Sequence, residues 1–275
     1  MPRFVRVRSA NNDYQHAEVL KRNRTRRRQS KEFFVEGVRP INAALEHGWR
    51  VNAFYYAPEM GLSDWAKNII TRSTATFHYE LSVPLMQSLS AKTNTSELIA
   101  LVAMPEDDLS RIPIRESTLV VVFDRPANPG NLGTLIRSCD ALRVDGLITT
   151  GHSADLYDPE TISASRGSLF ALPTIRVDVA KELMAWIKRV TEQLPDLQVV
   201  GSDESIGSEP WSVDLRRPTV LLVGNEKWGL SAGLRELAGT MVRIPMAGSA
   251  SSLNVACAAS IVLYELERQR ARPDE

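Results

Sequence analysis

At 275 residues the chain exceeds one typical domain, and its 43% hydrophobic content suffices for a buried core. Lys plus Arg and Asp plus Glu each total 33, so net charge singles out no partner and only the distribution of charge can. Cys139 and Cys257 lie far apart in apolar helical patterns, which excludes a disulfide framework or metal pair and makes both small core residues. No run approaches the length that crosses a bilayer, and the N-terminus lacks a long apolar region, so a soluble cytoplasmic protein is expected.

Residues 1 to about 15 are polar and expected to be loosely held, although MPRFVRVRS could add an edge strand. Lys21 to Lys31, KRNRTRRRQSK, is densely basic with no acid inside it. Two readings stay open: a solvated helix face or arm, and a phosphate-contacting patch of Arg22, Arg24, Arg26, Arg27 and Arg28. An alternating pattern follows, with strands at Glu32–Glu36, Val51–Tyr56, Ala75–Tyr79 and Leu98–Ala103 and helices at Val38–Gly48, Trp65–Arg72 and Pro84–Ser90. Residues 1–104 are thus expected to form a small α/β unit. Residues 105–116, charged and carrying two prolines, suit a linker.

Beyond it, in 117–275, buried strands are expected at Leu119–Phe123, Gly146–Thr150, Leu197–Val200, Val220–Val223 and Val242–Ile244. Helical patterns lie between most of them, which predicts an α/β fold with a mostly parallel sheet covered on both faces. Just after the first strand, Asn128-Pro-Gly-Asn131-Leu-Gly133-Thr-Leu-Ile-Arg137 makes a glycine-rich turn into a helix. It lacks the spacing of a dinucleotide fingerprint and the Gly-Lys-Ser/Thr of a phosphate loop. Leu132, Leu135, Ile136 and Cys139 form the helix's apolar stripe, leaving Arg137 to pair with Asp140 or to face a partner.

Asp158-Pro159-Glu160 starts a helix, and Arg166 beside Gly167 near its end can satisfy carbonyls or contact phosphate. Leu221-Leu-Val-Gly224-Asn-Glu226-Lys-Trp-Gly229 runs a buried strand into a carboxylate that could be a base, a ligand acceptor or a helix-start residue. Pro245 closes the last strand, Ala247 to Ser252 offer small side chains and hydroxyls, and Ser252-Leu253-Asn254 begins an apolar helix. No acid, base or metal ligand lies between Pro245 and Asn254.

Taken in order, Asn131 through Arg137, Gly224 through Leu230, and Ile244-Pro-Met through Asn254-Val resemble the SpoU family of the SPOUT methyltransferases, over about 117 to 268. Ser163-Ala-Ser-Arg166-Gly is similar to the branch with the thiostrepton-resistance rRNA methyltransferases. The first 104 residues resemble their N-terminal RNA-binding domain, which is similar to kink-turn-binding ribosomal proteins. The resemblance implies S-adenosylmethionine-dependent methylation of a ribose 2′-hydroxyl in RNA, by a homodimer with a deep C-terminal trefoil knot. Ribosomal RNA is the expected substrate, with a tRNA enzyme or a non-catalytic RNA-binding homologue as alternatives.

By the same resemblance Asn131, Arg137, Glu226, Ser252 and Asn254 would form the catalytic centre. Gly224, Ile244, Met246 and Leu253, with Thr150 and Gly151 as neighbours, would hold the cofactor. Arg166 and the arginines of the basic run would contact RNA. Arginine keeps its proton in proteins, so Arg137 is open to a second role, binding phosphate and stabilising a developing alkoxide.

Overall fold

The computed structural model describes residues 2–271, in two compact units. One comprises the chain up to Glu106 together with Tyr157–Ala171, and the other Asp107–Leu156 and Leu172 onward. To Glu106 the elements are β1 (Arg3–Val7), α1 (Asn12–Arg22), α2 (Arg24–Ser30), β2 (Glu32–Glu36), α3 (Val38–Glu46), β3 (Val51–Tyr56), α4 (Asp64–Arg72), β4 (Phe77–Leu81), α5 (Val83–Leu89) and β5 (Ile99–Ala103). There follow β6 (Leu119–Asp124), α6 (Pro129–Ala141), β7 (Gly146–Thr150), α7 (Pro159–Ser165), α8 (Ser168–Ala171) and β8 (Thr174–Val177). The chain continues with α9 (Ala180–Gln193), β9 (Gln198–Asp203), β10 (Thr219–Val223), α10 (Ala232–Leu237), β11 (Thr240–Arg243) and α11 (Val255–Ala271).

In the first unit a five-stranded mixed sheet runs β1-β4-β3-β5-β2, and β1 is the parallel edge strand that the N-terminal alternation suggested. Residues 12–15 depart from the expected loose tail, because they open α1. Asn11 caps α1 by accepting from the Tyr14 N–H at 3.1 Å, and Tyr14, Ala17 and Leu20 form a buried stripe at intervals of three. That stripe packs on Phe34, Tyr55, Met86 and Leu89.

Both faces of β2 are covered, so Phe33, Phe34 and Val35 are all buried. Phe33 lies against Trp49, Tyr157 and Phe170, with ring centroids 5.9, 4.6 and 6.2 Å away. The Trp49 Nε1–H donates to the Phe170 carbonyl at 2.9 Å. These aromatics seat the returning segment 157–171 on the N-terminal unit. Gly167 completes the seat, at φ +106° and with its α-carbon so near α3 that a β-carbon would lie 3.1 Å from Ala43 Cβ.

The basic run is two helices rather than one. Asn23 ends α1 and starts α2, its side chain accepting from the Arg26 N–H at 3.0 Å, and Lys31 closes α2 in the left-handed conformation. Arg27 points inward and is 1% exposed. Its guanidinium donates to the Leu20 carbonyl at 2.7 Å and the Lys21 carbonyl at 3.2 Å, two acceptors in the last turn of α1, and pairs with Asp158 at 3.2 Å.

The second unit is a six-stranded sheet, β11-β9-β10-β6-β7-β8, in which every pairing is parallel. Its central strands are continuous apolar runs. Val120, Val122, Val220 and Leu222 pack on Leu183, Trp186, Ile187 and Val190 of α9, a helix in the expected pattern, whereas the short β8 was not anticipated. Residues 107–112 carry the buried Leu109 and Ile112 into this core, and Asp107 pairs with Arg176 at 3.1 Å. Cys139 is buried as expected, but Cys257 is exposed because the buried face of α11 runs through Ala256, Ala259, Val262, Leu263 and Leu266. Among the described residues no helix is long and apolar enough to cross a membrane.

His78 on β4 is fully buried, stacked on Phe4 with centroids 4.8 Å apart, and neither ring nitrogen has a hydrogen-bond partner among the described residues. Burial holds its pKa below the ordinary imidazole value, so the folded ring stays neutral while the unfolded chain gains a proton below about pH 6.5. The folded pKa is depressed, so this contribution to stability is complete above that pH and is lost as pH falls through it. Urea unfolding should therefore show stability falling between pH 7 and 5 by at most about 1.4 kcal/mol per pH unit from this group, and His78→Phe should remove that slope. An unchanged slope in His78→Phe would show that other groups carry it.

Candidate active site

The C-terminal ends of β6, β7 and β10 meet at one carboxylate. Asp124 is 2% exposed and accepts from Arg125 Nε at 3.0 Å and Nη2 at 2.8 Å, Thr150 Oγ1 at 2.8 Å and the Ser231 N–H at 2.7 Å. Burial pushes its pKa up, but the hydrogen bonds from Arg125, Ser231 and Thr150 outweigh it and leave the group below the usual range. Arg125 takes a left-handed backbone conformation, φ +48°, and its guanidinium also donates to the Gly229 carbonyl at 3.2 Å. Thr150 and Gly151 are thereby placed. The Thr150 hydroxyl is spent on Asp124, a β-carbon on Gly151 would meet Arg125 at 3.0 Å, and neither residue lines the cavity described below.

Three separated sequence segments are joined by a chain of side chains. Asn254 Nδ2 donates to Asn131 Oδ1 at 2.9 Å, and Asn131 Nδ2 donates to Glu226 Oε1 at 3.2 Å. Glu226 also accepts from the Ala127 and Asn128 N–H groups at 2.9 and 3.1 Å, fixing the turn that enters α6. The Asn254 side-chain oxygen, Oδ1, accepts from the Ala256 N–H at 2.9 Å, which caps α11. That helix lies against α6, with its Ser260 Oγ 2.7 Å from Ser138 Oγ.

These groups border a cavity of about 380 Å³. Asn131, Gly224, Glu226, Ile244, Met246, Ser252, Leu253 and Asn254 all contribute to its wall, so eight of the residues singled out in the sequence converge here. Gly224 is required by space. A β-carbon there would lie 2.5 Å from the Gly229 carbonyl carbon and 2.7 Å from the Leu230 nitrogen, both main chain.

Another wall went unrecognised in the sequence, Ser202 to Ser205 at the end of β9 together with Arg235. Asp203 pairs with Arg235 and accepts from the Ser205 and Ile206 N–H groups, and these bonds overcome burial to keep its pKa low. A strand ending in Gly-Ser-Asp-Glu-Ser was the available signal, since ligands gather outside the carboxyl ends of parallel strands. The pocket offers small apolar walls, main-chain groups and three carboxylates, Asp203, Glu204 and Glu226, against the two cations Lys227 and Arg235, which suits a nucleoside joined to a cationic amino acid better than a polyphosphate.

Arg137 is exposed on α6, outside the cavity wall, and among the described residues it has no ion pair with Asp140 or any other group. Ser252 is likewise exposed in the loop before α11. In the N-terminal unit Arg22, Arg26, Arg28 and Arg166 are exposed and Arg24 is half-buried. Arg166 sits at the left-handed cap of α7, φ +57°. Arg27 is a correction to the expected RNA contacts, because its buried guanidinium is committed to α1 and Asp158.

Comparison with known proteins gives one consistent neighbourhood. A family model described as the SpoU rRNA methylase family matches residues 118–264, and one described as the SpoU L30e-like domain matches 11–100. A 23S rRNA (uridine(2479)-2′-O)-methyltransferase from Streptomyces viridochromogenes is 45% identical over 270 residues, 98% of this chain and 94% of its own. The crystal structure of the SpoU methyltransferase AviRb from that organism, in complex with AdoMet, superposes with a TM-score of 0.91 at 45% identity, covering 96% of this chain and 100% of that one. An AdoMet-bound rRNA methyltransferase from Sinorhizobium meliloti gives 0.84 at 30% identity, covering 96% and 98%.

The tight approach at Gly224 makes a simple test. Gly224→Ala should lower thermal stability by about 1–3 kcal/mol, because only main chain could move aside. An unchanged unfolding midpoint would mean that the loop after Gly224 yields freely.

Proposed function

The chain belongs to the SpoU rRNA methylase family, and on that premise we propose that it uses S-adenosylmethionine to methylate a ribose 2′-hydroxyl of 23S ribosomal RNA. The observation that carries the proposal is the Asn254–Asn131–Glu226 chain at the cavity wall, whose two hydrogen bonds span 123 and 95 residues of sequence beside one ligand-sized space. The 23S rRNA relative, matched along nearly the whole chain, favours ribosomal over transfer RNA.

Gly224, Ile244, Met246 and Leu253 would hold the cofactor's nucleoside, with the main chain approaching closely where Gly224 leaves room. S-adenosylmethionine, when bound, supplies a methyl carbon on a positively charged sulfur. The remaining work is alignment of the hydroxyl with that carbon, which lowers the barrier by positioning. Asn131 and Asn254, hydrogen-bonded to each other, and the Ser252 hydroxyl would orient the ribose from the cavity wall that all three line.

Glu226 acts as a positioning residue. Three N–H donors occupy its two oxygens, so it holds the turn into α6 rather than taking a proton. Arg137 contacts the neighbouring phosphate and stabilises the developing alkoxide, since a guanidinium does not serve as a base at neutral pH. Arg22, Arg26 and Arg28, with Arg24 and Arg166, form the phosphate-contacting surface of the N-terminal unit.

A homodimer through the C-terminal unit belongs to the same proposal, supported by the exposed Cys257, Ile261 and Tyr264 on one face of α11 and tested by sedimentation mass. A trefoil knot accords with the small buried residues Ala256 and Ala259, which let α11 pack closely on α6. A cytoplasmic location follows from the substrate.

Methyl transfer from labelled S-adenosylmethionine to a 23S rRNA transcript, with nuclease digestion to identify 2′-O-methylribose, tests the function directly. No incorporation by the wild-type protein would overturn it. Arg137→Ala should reduce transfer by on the order of 10²–10³-fold while calorimetric cofactor affinity stays within a few-fold, and normal turnover would remove Arg137 from the mechanism. Arg26→Gln with Arg28→Gln should weaken RNA binding and flatten its log–log salt dependence by roughly 0.7–0.9 per lost phosphate contact. An unaltered slope would move the RNA surface elsewhere.

A further inference from the structure

Trp228 is 69% exposed, the most exposed of the large apolar side chains among the described residues. It stands at the tip of the tight loop from Asn225 to Gly229, on the cavity wall with Asn131 and Glu226. Folding gains little from an indole in water, and the main chain that carries it is held by hydrogen bonds. Asn225 and Gly229 exchange two main-chain hydrogen bonds of 3.0 Å, and Gly229 turns the chain at φ +64°. The Asn225 side chain accepts from the Lys227 and Trp228 N–H groups at 2.9 and 3.0 Å and donates to the Arg125 carbonyl at 2.7 Å. Lys227 Nζ lies 4.4 Å from the centre of the indole ring.

A ribose whose 2′-hydroxyl enters this cavity belongs to a nucleotide drawn out of its stack, because the hydroxyl must meet the methyl carbon in line. Unstacking exposes a base face and costs free energy unless another plane replaces the lost neighbour. We propose that Trp228 is a stacking platform for a single-stranded nucleobase at the methylation site, with Lys227 beside it as the cation for that nucleotide's phosphate. The indole supplies a flat face at low entropic cost, since its main chain is already fixed by Asn225. Stacking accepts any base, so this contact holds the nucleotide without selecting its identity. The inference deepens the rRNA methylation reading above and rests on it.

The test compares wild type, Trp228→Ala and Trp228→Phe on the same 23S rRNA transcript. Four quantities are read: methyl transfer, RNA affinity by filter binding, S-adenosylmethionine affinity by calorimetry, and sedimentation mass. Trp228→Ala should lower kcat/KM for RNA roughly 5- to 150-fold, the factor that corresponds to about 1–3 kcal/mol of base stacking. Its cofactor affinity should stay within about three-fold of wild type, and Trp228→Phe should recover most of the loss. Cofactor affinity falling in step with transfer would overturn the proposal and make the indole part of the cofactor wall. A changed sedimentation mass would overturn it in favour of a contact between copies, and unchanged RNA kinetics would overturn it outright. If the wild-type protein transfers no methyl group, the broader function fails, while filter binding still decides whether Trp228 contacts RNA.

Discussion

A carboxylate buried at the end of the central strand carries the site. Asp124 would be costly to ionise in that position without partners, and it has four donated hydrogen bonds from three parts of the chain. Each bond fixes something that the cavity uses. Thr150 sets the end of β7, Ser231 sets the chain leaving the Gly229 turn, and Arg125 reaches across to the Gly229 carbonyl. The loop from Asn225 to Gly229 is thus clamped from both sides, and Gly224 can approach it so closely that no side chain would fit. A neutral Asp124 would lose much of the attraction to Arg125 and with it the shape of the wall.

Polar groups are used differently in the two units. Around the cavity, side-chain amides and three carboxylates, Asp203, Glu204 and Glu226, outnumber the cations Lys227 and Arg235 and make a mildly acidic surface. In the N-terminal unit the cations are displayed outward on α1 and α2, with Arg27 turned inward. That single reversal lets the basic surface exist on a folded support. Arg27 satisfies carbonyls at the buried end of α1 and anchors Asp158, so one arginine of the run holds the scaffold from which the others project.

Much of this was legible in the sequence wherever one period dominated. The apolar strands β6, β7 and β10, the amphipathic α3, and the turns at Asn128, Gly224 and Pro245 each carry a local signal that tertiary contacts reinforce. Convergence of Asn131, Glu226, Ser252 and Asn254 was expected only through the family resemblance, which also grouped with them Arg137, a residue outside the cavity wall. The failures have a common cause. Arg27 looks like its neighbours in a run of arginines, and only the position of Asn23 sets which of them faces inward. Cys257 lies in an apolar helix yet one position off its buried face. Tyr14, Ala17 and Leu20 are too sparse among polar residues to mark a helix by composition. Asp124 and the Ser202 to Ser205 wall carry chemistry only because distant segments arrive beside them, which no local spacing records.

The return of residues 157–171 to the N-terminal unit orders events during synthesis. Phe33 and Trp49 leave the ribosome early, but the rings of Tyr157 and Phe170 that cover them arrive only after β6, α6 and β7 have been made. At that moment β6 and β7 lack β10 and β8, the strands that flank them in the finished sheet, so apolar edges stand open while the earlier half is still incomplete. The nascent chain therefore cannot bank one finished domain before starting the next. Each half waits on the other, and a pause in translation between residues 124 and 171 would prolong the interval in which both are vulnerable to aggregation.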